Sequence, residues 1–432
     1  MKVTELMGTG GTNKQAILEQ VTDFYLSSGD FNGLPGLTLT KRFGSDDLLR
    51  SLIELIEEDK ASVVFGNVHP NPHIRALPDI PKEEQISKLR AGELNVACVY
   101  PLQKYLQEVV DPSEYENRPY VLAMALGSPQ LDFRAFDLSV LEFYRNDPRY
   151  IYQNDDIRGW ISISDEYFES ESIPESDQVL LDTFGFCYDD ALNRAVAVFV
   201  RYLANLSPEH QQIWKAKELQ GEYKLHSDYY RNTILGDWGE GISIFDAFVE
   251  ELQLINKMAE AMGHPALFKN DFSGGKPRKF GFLVRPTLES YNEFVLLLDK
   301  MISDNINKKF FRNQIPSEKE VERKDGKIKI QQIGTLNMLE SWIRKYFRTD
   351  DWEPVDEMIK SFKEVRKKRQ KPAHAVDENA FDQKYFHDQR KLIMRAYTGV
   401  RTLRMMLENH PRVRASNIEV HSLLREGKIW DR

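Results

Sequence analysis

The chain has 432 residues, of which 41% are hydrophobic and 29% charged, as is usual for a globular protein with a substantial core. Its net charge of −9 excludes a protein that coats nucleic acid with its whole surface, so any such contact has to be local. The cysteines, Cys98 and Cys187, form no Cys-x-x-Cys pair, and no apolar run approaches the roughly 20 residues of a membrane span. We therefore expect a cytoplasmic protein without metal, cofactor, disulfide or membrane partner.

Residues 1–80 predict a small module of helices and strands. Helical periodicity marks 13–27 and 45–58, and the run ASVVFG at 61–66 indicates a strand. The opening stretch, MGTGGTNK, lacks the spacing of a phosphate loop. The order of elements weakly resembles a winged helix. Because the second helix is rich in Asp and Glu, docking or dimerisation is favoured over insertion into a DNA groove.

Residues 81–285 predict a middle domain of mixed α+β structure, with no pattern that assigns it a role. The expected helices are 83–91, 100–110, 189–204, one starting at Ser207, and 243–262, and the expected strands are 120–125 and 158–164. We find no nucleophile elbow, dinucleotide fingerprint or paired-histidine metal motif in this region.

Residues 286–432 give the clearest pattern, which is a series of amphipathic helices. Apolar residues recur on one side of 289–311, 333–347, 354–370 and 379–409, and the connections are mainly short. One-sided stripes on consecutive helices indicate an antiparallel helical bundle. We therefore predict a multidomain, mainly α chain with mixed α+β structure in its N-terminal and middle parts.

The stretch EVRKKRQKPAHAV at 364–376 joins the last two long helices and is strongly basic. Arg369 follows Phe362 by seven residues and therefore continues the apolar stripe, where its charge requires an anion. Pro372 should end the helix near Gln370, so that His374 can fold back beside Arg369. On charge alone, a solvated helix face is the simpler interpretation.

The segment RQKPAH resembles the Arg-x4-6-His signature of HEPN domains, and the resemblance covers about 289–409. Gln370 occupies the polar position after the arginine, where the family more often has Asn, Asp or His. Two further matches, Arg404 to His410 and Arg414 to His421, lack the same setting between two amphipathic helices. The resemblance implies a helical bundle that is either a metal-independent RNase or a non-catalytic binder of nucleotides or RNA.

The chemistry expected from this resemblance is RNA cleavage to 2′,3′-cyclic phosphate ends. His374 would transfer protons, Arg369 would stabilise charge on phosphorus, Gln370 would support the pair, and flanking phosphates would contact three lysines, Lys367, Lys368 and Lys371. The resemblance also implies a homodimer with two Arg/His pairs in one cleft. The hypothesis is an endoribonuclease of antiviral, abortive-infection or toxin-like defence, restrained or triggered by a protein or phage-derived partner. The alternatives are a non-catalytic HEPN binder and a winged-helix DNA-binding regulator.

Overall fold

The structure is a computed structural model that describes residues 13–69, 71–76, 79–155, 157–169, 174–237, 241–322, 328–370 and 378–430. The chain divides into two compact units, one of residues 1–152 and 158–236 and the other of residues 153–157 and 237–432. The three-part division expected from the sequence stays a prediction. The chain mixes α and β structure, as expected, and its C-terminal region is mainly helical.

The first unit begins with helices around a three-stranded antiparallel sheet of order β1-β3-β2. Its elements are α1 (Asn13–Ser27), β1 (Leu34–Pro35), α2 (Gly36–Phe43), α3 (Ser45–Glu57), β2 (Ala61–Phe65), α4 (Lys82–Arg90) and β3 (Ala97–Pro101). Leu48, Leu52 and Leu55 of α3 lie at helical spacing and join Ile17 and Val21 of α1 in one buried cluster. The predicted helices at 13–27 and 45–58 and the predicted strand at 61–66 are therefore confirmed.

The rest of the first unit surrounds a sheet of order β4-β8-β7-β6-β5, in which β4, β8, β7 and β6 are antiparallel to their neighbours and β9 pairs with β7. The helices are α5 (Gln103–Val109), α6 (Pro119–Ala125), α7 (Val140–Arg145), α8 (Asp165–Phe168), α9 (Val200–Ala204), α10 (Pro208–Lys215) and α11 (Ser227–Tyr230). The strands are β4 (Phe133–Phe136), β5 (Tyr150–Asn154), β6 (Arg158–Ile163), β7 (Leu180–Tyr188), β8 (Arg194–Phe199) and β9 (Lys224–Leu225). The predicted helix start at Ser207 is confirmed, since its side chain accepts from the N–H of His210.

Two predictions in this region are wrong. Residues 120–125, predicted as a strand, lie in α6, where Pro119 occupies the first turn and Tyr120 and Met124 are both buried. Residues 189–204, predicted as one helix, contain β8 followed by α9. Because β8 is paired on both edges and buried, its apolar run lacks the alternation that distinguishes a strand from a buried helix.

The second unit consists of long helices with two short sheets. The helices are α12 (Ile244–Ala261), α13 (Leu288–Ile302), α14 (Thr335–Tyr346), α15 (Glu353–Gln370), α16 (Lys384–Glu408), α17 (Pro411–Arg414) and α18 (Ser422–Glu426). The strands are β10 (Ile242–Ser243), which pairs in parallel with β13 (Ile429–Trp430), and β11 (Glu318–Glu322), which forms an antiparallel pair with β12 (Ile328–Gln332).

The five helices from α12 through α16 share one buried hydrophobic core. α15 packs against α13, α14 and α16, and α16 packs against α12 as well. The stripe of α15 that the sequence predicts, from Val355 through Phe362 to Val365, is buried in this core. The predicted helix at 289–311 ends at Ile302, and a separate 3-10 turn follows at 308–311. Among the described residues, no helix combines the length and the apolarity that crossing a bilayer requires.

Candidate functional site

The basic end of α15 lies beside two carboxylates. Nη1 of Arg369 donates hydrogen bonds to Oδ2 of Asp299, at 2.6 Å, and to Oδ2 of Asp304, at 2.7 Å. Arg366, one turn earlier, donates from Nη1 to Oδ1 of Asp304 at 2.9 Å. The anion that the stripe position of Arg369 requires is therefore present, and the protein itself supplies it.

The sequence explains why these groups meet. Asp299 lies between Leu298 and Met301 on the buried side of α13, and its side chain is fully buried. α13 packs against α15, whose last residue on the apolar side is Arg369. A carboxylate buried in this position needs a cation, and Arg369 reaches it while 32% of its own side chain stays exposed.

Electrostatics hold the cluster in its charged form. Burial alone would raise the pKa of Asp304, but hydrogen bonds and charge from Arg366 and Arg369 hold that pKa below its ordinary value. Hydrogen bonds to Asp299 and then to Asp304 raise the pKa of Arg369. At neutral pH the contacts between Asp304 and the two arginines are therefore charge-assisted hydrogen bonds.

A cavity of about 590 Å³ lies next to the cluster, between the start of α14, the end of α15 and the segment after α13. Its cationic lining residues are Lys269, Lys308, Lys363, Arg366 and Lys367. Among the described residues that line it, Asp304 is the one acid. The cavity is thus a local concentration of positive charge on a chain whose net charge is −9.

The five cations differ in how much of their charge is already paired. Lys363 forms an ion pair with Glu340 at 2.7 Å, and Lys269 donates to the backbone oxygen of Asp304 at 2.6 Å. In the part of the chain that the structure describes, no carboxylate pairs with Lys308 or Lys367, and both side chains are exposed. Their charge is available to an anion in the cavity.

The structure brings some of the predicted site residues to this place. Lys367 and Gln370 line the cavity, and Arg369 lies in the adjoining cluster. Lys368 is on the same helix turn but does not line the cavity. Lys371 and His374 lie outside the described residues, so the contact between Arg369 and His374 stays a prediction.

Sequence reasoning missed the groups that complete the site. Asp299 had a signal, because it is an acid inside the apolar stripe predicted for 289–311. Lys269, Ser303 and Lys308 had none, because they come from connections that only the packing of helices brings to α15.

The residues of the other two Arg-x4-6-His matches have partners within the fold. Nε of Arg404 donates to Oε2 of the buried Glu251 at 2.8 Å. Arg414 donates to the side chain of Asn409 at 2.6 Å. The histidines His410 and His421 each cap the start of a short helix through Nδ1. Neither match lines the cationic cavity.

Cys98 and His210 of the first unit are residue types that often act in catalysis, but here their burial indicates a structural role. Burial raises the pKa of Cys98 to about 11, which disfavours a reactive thiolate. His210 is buried, with Nδ1 2.8 Å from the hydroxyl of Tyr144, and its burial lowers its pKa. Among the described residues, no three His, Cys, Asp or Glu side chains converge as metal ligands would.

Comparison of the chain with protein-family models, curated proteins and solved structures found no match.

Proposed function

We propose that this protein is an RNA-binding endoribonuclease of the HEPN type, with α13 to α16 as its catalytic helical bundle. The observation that carries the proposal is the cationic cavity at the end of α15, which adjoins Arg369. The positive charge of such a cavity attracts the phosphates of RNA. Because the chain as a whole is acidic, its contact with RNA has to be made through a local basic surface such as this one.

The proposed reaction uses Arg369 and His374 on one phosphodiester. Arg369 presents a planar fork that stays protonated, which suits charge developing on phosphorus. His374, by the same resemblance, removes the 2′-hydroxyl proton or protonates the leaving 5′-oxygen. Lys367 lines the cavity, where it would hold a neighbouring phosphate, and Lys368 and Lys371 would extend this contact.

Arg369 has to exchange a carboxylate for a phosphate before it can act. Asp304 is 39% exposed and also accepts a hydrogen bond from Arg366, so it keeps a cation when Arg369 turns away. The cluster would in this way restrain the arginine until RNA, a partner or dimerisation releases it. We further propose that two subunits form a dimer in which their Arg/His pairs face one cleft. A protein or phage-derived partner would trigger cleavage.

A second candidate, binding of RNA or a nucleotide without cleavage, is favoured by the same carboxylates. In this structure the Arg369 guanidinium donates its hydrogen bonds to Asp299 and Asp304, within the described residues. A DNA-binding regulator is the weakest of the alternatives. On α3, Asp46, Asp47 and Glu57 are exposed, so the helix that would enter a groove is acidic.

Digestion of RNA by the full chain tests the proposal, with wild type compared with Arg369→Lys and His374→Ala. Lysine keeps a charge beside Asp299 but lacks the fork, so loss of cleavage by this variant does not result from an unpaired acid. Wild type should produce ends with 2′,3′-cyclic phosphate and should slow bacterial growth when expressed, whereas both variants should not.

Arg414→Ala is a matched control, because it removes the exposed arginine of another Arg-x4-6-His match. It should leave cleavage and growth inhibition unchanged. If no form cleaves RNA, with or without candidate triggers, and all forms permit equal growth, the nuclease proposal is wrong. Binding of RNA would then decide whether the non-catalytic alternative stands.

A further inference from the structure

The first turn of α14 has backbone N–H groups that no side chain of the described residues caps. The side chains of Ser243 and Thr287 cap α12 and α13 by accepting backbone hydrogen bonds, but the residue in this position before α14 is Gly334, which has no side chain. The hydroxyl of Thr335 does not cap the helix either, since it donates to the backbone oxygen of Ser303 at 2.7 Å. The first N–H groups of α14, which form the positive end of the helix dipole, therefore have neither an intrahelical acceptor nor a side-chain cap among the described residues.

A second and independent observation at the same cavity is the side chain of Ser303. Its hydroxyl is fully buried and, among the described residues, has no hydrogen-bond partner. Ser303 lines the cavity together with Gly334 and Thr335. Because an unpaired buried hydroxyl is costly, a ligand that supplies an acceptor oxygen here would remove a defect of the free protein.

The charges around this point suit an anion with more than one negative charge. Lys269, Lys308 and Lys367 are exposed side chains that line the cavity. The charge of Asp304, which would oppose an anion, is offset by its contacts with Arg366 and Arg369.

We infer that this cavity binds a phosphate monoester. Such a group has three terminal oxygens and a charge of about −1.5 to −2 near neutral pH, which matches a helix start, a hydroxyl and several lysines. An internal phosphodiester has two terminal oxygens and a single charge. The monoester is carried either by the 5′ end of an RNA or by a free nucleotide.

The inference rests on the proposed RNA contact but requires no cleavage, so probes that cannot be cut separate the two. The probes are a short 2′-O-methyl oligonucleotide with a 5′-phosphate, the same oligonucleotide with a 5′-hydroxyl, AMP and adenosine. Affinity is measured with the full chain at fixed salt. Phosphorylated probes should bind about tenfold or more tightly than their unphosphorylated counterparts, because hydrogen bonds to a charged group are strong.

Gly334→Asp is the decisive variant, and Gly334→Ala is its control. A Cβ at Gly334 meets nothing within 4 Å, and its φ of −68° is ordinary for any residue. Aspartate there would cap α14, so the protein should fold at least as well while the preference for phosphorylated probes disappears. Alanine leaves the N–H groups uncapped and should keep the preference. Ser303→Ala should weaken it without lowering thermal stability.

Each outcome of this experiment decides a point. Equal binding of phosphorylated and unphosphorylated probes by wild type overturns the inference, as does a preference that persists in folded Gly334→Asp. If the phosphorylated oligonucleotide binds much more tightly than AMP, the ligand is an RNA end, and comparable affinities indicate a free nucleotide. If the protein binds the monoester but cuts no RNA, the nuclease proposal is refuted and this inference stands.

Discussion

Removal of Arg369 should destabilise the second unit. In Arg369→Ala the carboxylate of Asp299 is fully buried, and Arg366 is the one cation that stays near it among the described residues, with Nη1 at 3.7 Å from Oδ2. Loss of one partner costs about 3–5 kcal/mol in a fully buried pair, and an exposed pair contributes about 0–1 kcal/mol. Since Arg369 is 32% exposed, we expect an intermediate loss, about 2 kcal/mol in the free energy of unfolding.

A double-mutant cycle with Asp299→Asn isolates this interaction. The double variant has no unpaired buried acid, so it should be more stable than Arg369→Ala, with a coupling energy of about 1–2 kcal/mol. The assay is urea unfolding combined with hydrogen exchange of peptides from α13 and α15, because the chain contains two units and a single transition is not assured.

An Arg369→Ala variant that unfolds at the same urea concentration as wild type, and whose peptides exchange equally slowly, would refute this prediction. Additive effects of the two substitutions would also refute it, because they would mean that Arg369 and Asp299 do not interact. The result bears on function, since an inactive Arg369→Ala variant is informative only when its folded fraction is known.

Three further predictions concern other charged and buried groups. The pKa of Asp304 is lowered, so this residue stabilises the fold fully above the ordinary pKa of an aspartate, and the stabilisation is lost as the pH falls below about 4. In urea unfolding at a series of pH values, Asp304→Asn should lack this loss of stability in acid. Arg404→Ala should destabilise the second unit by about 3–5 kcal/mol, because it leaves Glu251 buried and unpaired, while RNA affinity per folded molecule stays unchanged. Burial raises the pKa of Cys98 to about 11 and that of Cys187 to about 12, so iodoacetamide at about pH 8 should modify either thiol only after unfolding, as mass spectrometry would show.

The sequence predicted elements best where one face is buried and the other is solvated. The helices at 45–58 and 354–370 were placed to within a residue at each end, because their apolar stripes repeat at helical spacing. β8 was misread because both its faces are buried, which removes the period that the prediction uses. Tertiary context therefore decides short apolar runs, and a single sequence does not contain it.

The candidate site was predictable to the extent that it lies on one helix. The position of Arg369 after the apolar stripe indicated a buried anion, and the structure supplies two carboxylates where the sequence suggested a ligand. Lys367 was predicted as a phosphate contact and lines the cavity. Lys308 and Ser303 could not be predicted, since nothing local in the sequence relates a connecting segment to a helix far along the chain.

The salt dependence of RNA binding tests the central claim, which is that RNA phosphates contact the cavity at the end of α15. Lys367→Gln removes a charge that lines it, and Lys360→Gln removes one on the same helix outside it, where Lys360 pairs with Glu357. With an uncleavable RNA, Lys367→Gln should weaken binding and lower the slope of log affinity against log salt by about one, whereas Lys360→Gln should change neither. Equal slopes for wild type and both variants would contradict the account.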